Sequence, residues 1–214
     1  MKRAYLASQF YVVGQSIGAQ ITADEKAATV FITTPIKYKV FKESELGWHY
    51  KNRAALKQAG FVTEDYDITD KSEEDLIRDL AKYRVMYVEG GNPFSTLKIA
   101  QTNNFAKYVR GRVEEGMIYI SESAGSVLAG IDVTANSRPG KGVKEYNLTD
   151  TKGIGLINAV IMPHWGQGPK RKDYSEYKYP QTYKEDFSYI FLPDTKYIEV
   201  SGVNSRIIDT TKKD

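Results

Sequence analysis

The feature that most constrains this chain is a repeated alternation. Short, almost wholly apolar runs are each followed by a longer amphipathic stretch through the first 130 residues. "TVFITT" (29–34) is β-branched and aromatic and ends at Pro35. "SELGWHYKNRAALKQAG" (44–60) reads as a helix that stops at glycine. "FVTEDYDI" reads as a further strand, and Ser72 followed by three acids opens another helix. "RVMYVEGGN" (84–92) is a buried-type strand ending in glycines. Residues 93–115 read as helix in two pieces, broken near 102–104. "MIYIS" then leads into a helix from Ser123 to about Ala129. Strands alternating with helices predict an α/β fold: a mainly parallel sheet with helices on both faces.

After Gly130 the character changes. Residues 131–158 are rich in Gly, Asn, Asp and Thr, "AVIMPHW" is strand-like, and 166–180 read as a polar basic loop. "YIFLPD" and "YIEVSGVNSRIID" read as closing strands. With 214 residues and no repeat or linker, the expectation is one domain spanning 1–214.

Composition narrows the chemistry. A net charge of +3 is too mild to argue for nucleic acid or a membrane surface. No segment approaches the roughly 18–20 apolar residues of a membrane span, and the start lacks a signal-peptide core; the expectation is a cytoplasmic protein. The absence of cysteine excludes disulfides, thiolate metal sites and a cysteine nucleophile. Two separated histidines make a poor metal set, and no phosphate-binding glycine loop is present, so no cofactor or metal is expected.

"MIYISESAGSVL" (117–128) places Ser123 between a strand and a helix, with Ser121 and Gly125 two positions to either side. A strained strand-to-helix turn that presents a hydroxyl needs small residues at those places. An ordinary connecting turn is the plain alternative. A serine nucleophile needs a base. His49, between Trp48 and Tyr50, reads as a partly exposed helical residue. His164, in "IMPHWGQG", is delivered at a strand end. Two acids compete to orient it: Asp150 would give the order Ser–Asp–His, and Asp194, in "FLPDTKYI", the order Ser–His–Asp. The paired glycines of "YVEGGNPF" can bring backbone N–H groups close to a ligand.

"EGGNPF", "SESAG", "MPHW" and "FLPDTKYI", in this order across about residues 84–200, resemble the peptidase E (aspartyl dipeptidase) family of serine peptidases. The resemblance implies a three-layer, flavodoxin-like fold similar to class I glutamine amidotransferases, with serine in place of cysteine. It implies Ser123 as nucleophile, His164 as base, Asp194 as the triad acid, and the N–H groups of Gly91 and Ala124 as the oxyanion hole. Asn92, Asn136 and Arg171 become candidate substrate-binding residues, and a small peptide the expected partner, with the protein a monomer or a homodimer.

There are departures from the family pattern. Ser121 replaces the glycine that begins the elbow, aspartate at 194 replaces the usual glutamate, and Ser137 stands where an aspartate would fall. Lys170, Arg171 and Lys172 could bring an acidic peptide to the site, or form a solvated loop neutralised by Asp173 and Glu176. The leading expectation is a dipeptidase-like serine peptidase. The alternatives are an esterase using Asp150, and an inactive relative that binds a small acidic ligand.

Overall fold

A computed structural model describes residues 1–138, 140–166, 168 and 172–212. Its main sheet has seven strands. Five are parallel: β1 (Arg3–Ala7), β2 (Thr29–Ile32), β3 (Thr63–Tyr66), β4 (Val85–Val88) and β5 (Ile118–Glu122). Two others, β6 (Val160–Pro163) and β7 (Tyr189–Leu192), form a separate parallel pair. The last two, β8 (Lys196–Ser201) and β9 (Asn204–Asp209), extend the main sheet antiparallel beyond β1, giving the order β3-β2-β4-β5-β1-β8-β9.

The continuous apolar runs of β4 and β5 follow from burial on both faces. Side chains alternate across the sheet. Val85, Tyr87, Ile118 and Ile120 pack with Phe10, Val13 and Ile17 of helix α1 (Phe10–Gly18) and with Leu56. A four-residue helix α2 (Ala23–Lys26) precedes β2, and Leu56 belongs to α3 (Gly47–Gln58). Met86, Val88 and Tyr119 face the other way. They meet α4 (Glu73–Leu80), α5 (Pro93–Thr102), α6 (Phe105–Glu114) and α7 (Ala124–Ala129). Both faces are therefore covered, as the alternation requires.

Local signals explain the helix ends. Ser72 and Asp75 form a reciprocal capping box at the start of α4. α5 and α6 are separated at Asn103 and at Asn104, whose φ of 57° leaves the helical region.

Three features depart from the sequence reading. The opening residues, read there only for a signal peptide, form β1 and α1 at the centre of the fold. The strand of "AVIMPHW" pairs with β7 outside the main sheet, where it packs on α7 through Ile161. In the segment read as a polar loop, residues 173–178 form a π-helical turn that runs into α8 (Tyr179–Thr182). Tyr174, only 2% exposed, anchors that turn beside Val160 and Met162; an apolar ring among lysines is a weak signal in sequence. Among the described residues no helix is long and apolar enough to cross a membrane.

Candidate active site

The parallel register sets the site. Ala7 lies opposite Glu122, and Val88 opposite Ser121. The residues that follow β1, β4 and β5 therefore emerge together at one rim of the sheet, where ligands collect in such folds.

Ser123 has φ 44° and ψ −103°. A non-glycine residue held there stores about 1–3 kcal/mol of strain, which the surroundings must over-determine. They do so through close packing. A Cβ on Gly125 would lie 2.4 Å from the Val88 carbonyl oxygen and 3.0 Å from the Ser121 Cβ. The Tyr119 hydroxyl donates to the Gly125 carbonyl at 2.8 Å, and the Ser123 N–H donates to the Ala7 carbonyl at 3.0 Å. Ser121 and Ser126 bond each other at 2.9 Å, and Ser126 Oγ donates to the Ala7 carbonyl at 2.7 Å. Both of those hydroxyls are buried and engaged. Serine in place of the family's first glycine thus contributes a bond beneath the elbow.

The small sheet delivers the partners. Pro163 pairs with Leu192, and the Trp165 N–H continues that ladder to the Leu192 carbonyl at 3.1 Å. His164 and Asp194, just past the two strand ends, are therefore neighbours. Ser123 Oγ lies 2.9 Å from His164 Nε2, and His164 Nδ1 lies 2.8 Å from Asp194 Oδ1. The imidazole is 14% exposed and the carboxylate 6%, so this chain of bonds is largely screened from water. The competing acid, Asp150, is at an exposed turn, where its carboxylate accepts the Lys152 N–H at 3.0 Å. The geometry therefore gives no support to the order Ser–Asp–His.

Ser8 is absent from the candidates read in sequence. It is fully buried just past β1. Its Oγ accepts the His164 backbone N–H at 2.6 Å, donates to Asp194 Oδ1 at 2.5 Å, and lies 3.4 Å from His164 Nδ1. It thus grips both His164, itself at φ 64°, and Asp194. The only sequence signal for it was a small polar residue at the end of "YLAS", visible once that run is read as a strand.

Gly91 has φ 140°, and a Cβ there would fall 2.0 Å from the Pro35 carbonyl oxygen. Only glycine fits this close approach. Its N–H makes no hydrogen bond among the described residues. The Ala124 N–H, in the first turn of α7, has no partner within its helix. Both residues border a cavity of about 370 Å³ that opens at Ser123 and His164.

That cavity also takes in Asn92, Asn136, Arg138, Lys141 and Glu145. Asn92 caps α5, its Oδ1 accepting the N–H groups of Phe94 and Ser95 while its Nδ2 donates to the Tyr146 hydroxyl. Asn136 donates to the Ile161 carbonyl at 3.1 Å, which leaves its Oδ1 for the cavity. Arg138 pairs with Asp173 at 2.8 Å. Arg171 and Lys170 lie outside the described residues, and Lys172 faces Glu176 at 3.8 Å. Ser137 Oγ accepts the Val143 N–H at 3.5 Å beside this cavity.

A second cavity, of about 320 Å³, meets the same serine and histidine from another side. Burial, opposed by the Phe10 N–H that its Oε2 accepts at 3.1 Å, raises the Glu122 carboxyl to about 8. Close by, His49 Nδ1 bonds the fully buried Glu89 carboxylate, so His49 serves that acid, whose protonation burial favours. Among the described residues no cluster of three or more His, Asp or Glu side chains is placed to hold a metal.

Known proteins resemble this chain in sequence and in fold. The model of peptidase family S51 matches residues 47–208. An uncharacterized peptidase of Listeria monocytogenes is 27% identical over 170 residues, covering 79% of this chain and 80% of the relative. An uncharacterized peptidase of Pasteurella multocida is 25% identical over 170 residues, with 79% and 80% covered. Among solved structures, a protein from Listeria monocytogenes EGD-e provisionally identified as peptidase E superposes with a TM-score of 0.81 at 22% identity, covering 98% of each chain. A peptidase from an acI-B1 Actinobacterium gives 0.66 at 14% identity, with 98% of this chain and 88% of that one covered. These structures share the fold, and the match over most of the chain places it in a family: the protein belongs to peptidase family S51.

Proposed function

We propose that the protein is a serine peptidase that hydrolyses short peptides with a free N-terminus through an acyl-enzyme. The observation that carries the reading is the unbroken line Ser123 Oγ–His164 Nε2 and His164 Nδ1–Asp194 Oδ1 on a strained elbow. In the reaction, His164 Nε2 takes the Ser123 proton as Oγ attacks the scissile carbonyl carbon. The carbonyl oxygen becomes an oxyanion facing the N–H groups of Gly91 and Ala124, donors fixed before the charge develops. Collapse breaks the C–N bond, and His164 returns the proton to the departing amine. Water, deprotonated by His164 Nε2, then attacks the ester carbonyl carbon; the C–O bond to Ser123 breaks, His164 returns that proton to Ser123 Oγ, and the acid is released. Asp194 holds the imidazole with Nδ1–H inward and stabilises its charged form.

The cavity beside Ala124 suits the first residue of a peptide. Glu145 and the Asn136 Oδ1 are acceptors for an α-ammonium group, and Arg138 and Lys141 bring positive charge for an acidic side chain. The test is chain length and the N-terminus. Free dipeptides, an aspartyl one among them, are expected to be cleaved, and a ten-residue N-acetylated peptide left intact. Efficient cleavage of the acetylated peptide overturns the dipeptidase form of the proposal.

A further inference from the structure

The second cavity has a different character from the first. Its walls are Tyr11, Tyr38, Phe41 and Trp48, and its floor is Gly90 with the Glu122 carboxyl. Gly90 is what lets that floor form: a Cβ there would lie 2.5 Å from Glu122 Oε1 and 3.2 Å from Trp48 Cζ3. The indole edge and the acid therefore converge on one point. Gly91, Ser123, His164 and Tyr38 border both cavities, so the two meet at the reacting hydroxyl.

Building on the peptidase reading, we propose that this aromatic cavity is the subsite for the leaving residue and that it selects an aromatic side chain. The first residue carries an ammonium group whose acceptors, Glu145 and Asn136, are in the polar cavity; the second residue is then left to the other side of Ser123. Four aromatic walls offer edge and face contacts that an aliphatic or small side chain cannot return. A volume of about 320 Å³ accommodates one ring with its backbone.

Two alternatives fit less well. Aromatic walls over a carboxyl also suit a cation. Here, however, Lys39 Nζ stands 4.4 Å from the Phe41 ring centre and Lys51 Nζ 5.2 Å from that of Tyr11, so two of the four rings already carry an ammonium group. The Glu122 carboxyl, raised to about 8 by burial, is mostly neutral at pH 7 and gives a cation little in return. An acidic side chain meets no lysine or arginine among the described residues that line this cavity.

Calorimetric titration of the Ser123→Ala protein with Asp-Phe, Asp-Ala, Asp-Lys and Phe-Asp tests the proposal without turnover. Asp-Phe is expected to bind about tenfold more tightly than Asp-Ala or Asp-Lys, and more tightly than Phe-Asp. Adding Trp48→Ala should shrink the Phe-to-Ala preference toward one. Phe41→Ala is the second variant should the first fail to fold. Equal affinity for Asp-Phe and Asp-Ala overturns the subsite. Tightest binding of Asp-Lys replaces it with a cation box, and tightest binding of Phe-Asp moves the ring to the acyl side; either result refutes the inference. Hydrolysis by the unsubstituted protein separates this from the peptidase reading. Cleavage of all four with no preference refutes the subsite alone. Binding preference without any cleavage refutes the peptidase reading and leaves only the aromatic selectivity of the cavity standing.

Discussion

Replacing Ser8 by alanine removes a single oxygen that joins three parts of the site. Its loss leaves the His164 backbone N–H without its acceptor, at a cost of about 1–3 kcal/mol. It also removes a donor to the Asp194 carboxylate, a charge-assisted bond of about 1.5–3 kcal/mol. Ser8 is fully buried, so water does not readily replace either contact. Taken together, about 3–5 kcal/mol of stability is at stake, a fall in Tm of the order of 10 °C for a domain of this size. The catalytic effect is separate. His164 sits at φ 64° and is tethered by that N–H, so its release lets Nε2 drift from Ser123 Oγ. A drift of about 1 Å costs roughly 10²-fold in rate. Steady-state hydrolysis of a free dipeptide, run well below both melting temperatures on protein verified as folded by circular dichroism, reads this directly. A fall in kcat of about 10–100-fold is expected, with KM moving much less. A lower Tm with full kcat would show that Ser8 only holds the fold and would refute the positioning role.

Three further substitutions probe individual acids. Asp194→Asn should lower kcat by roughly 10⁴-fold, whereas Asp150→Asn, at an exposed turn, should cost little; reversed effects in the same assay would move the acid to Asp150. Burial raises Glu122 from an ordinary value near 4.5 to about 8, so the folded chain holds that proton more tightly than the unfolded one. Stability from this group is greatest below about pH 4.5 and is lost as pH rises through 8. Glu122→Gln keeps an acceptor for the Phe10 N–H but cannot ionise. Urea unfolding should therefore show its advantage over the original protein growing from pH 5 to pH 8.5, and parallel pH profiles would refute the buried, protonated state.

How much of this could be read from sequence follows from which forces are local. The runs of β4 and β5 are apolar throughout because both faces are covered, and that pattern is explicit in "VMYV" and "MIYIS". The elbow was legible because its strain demands small residues at 121 and 125; a Cβ on Gly125 would run into the Val88 carbonyl and the Ser121 Cβ. The choice of acid was not legible without the family resemblance. It depends on Pro163 pairing with Leu192, a register between strands that no local signal encodes. Ser8 was hidden for the same reason: its partners are 156 and 186 residues away in sequence. The aromatic cavity draws on residues from β1's end, the 38–48 segment and β4's end, which only the sheet order brings together. Asn92 shows the reverse limit. Its place beside the glycines was readable, but its side chain is spent on capping α5.

The central claim is that Ser123 is the one serine activated by His164. Treating the purified protein with a fluorophosphonate and measuring intact mass, followed by peptide mapping, tests it most directly. The expected result is a single adduct on Ser123 that disappears in the Ser123→Ala protein and is strongly slowed in His164→Ala. Ser121 and Ser126 should stay unmodified, because both are buried beneath the elbow, bonded to each other, and Ser126 Oγ donates onward to the Ala7 carbonyl. An adduct on either of them, or labelling of Ser123 at the same rate without the imidazole, would contradict the account.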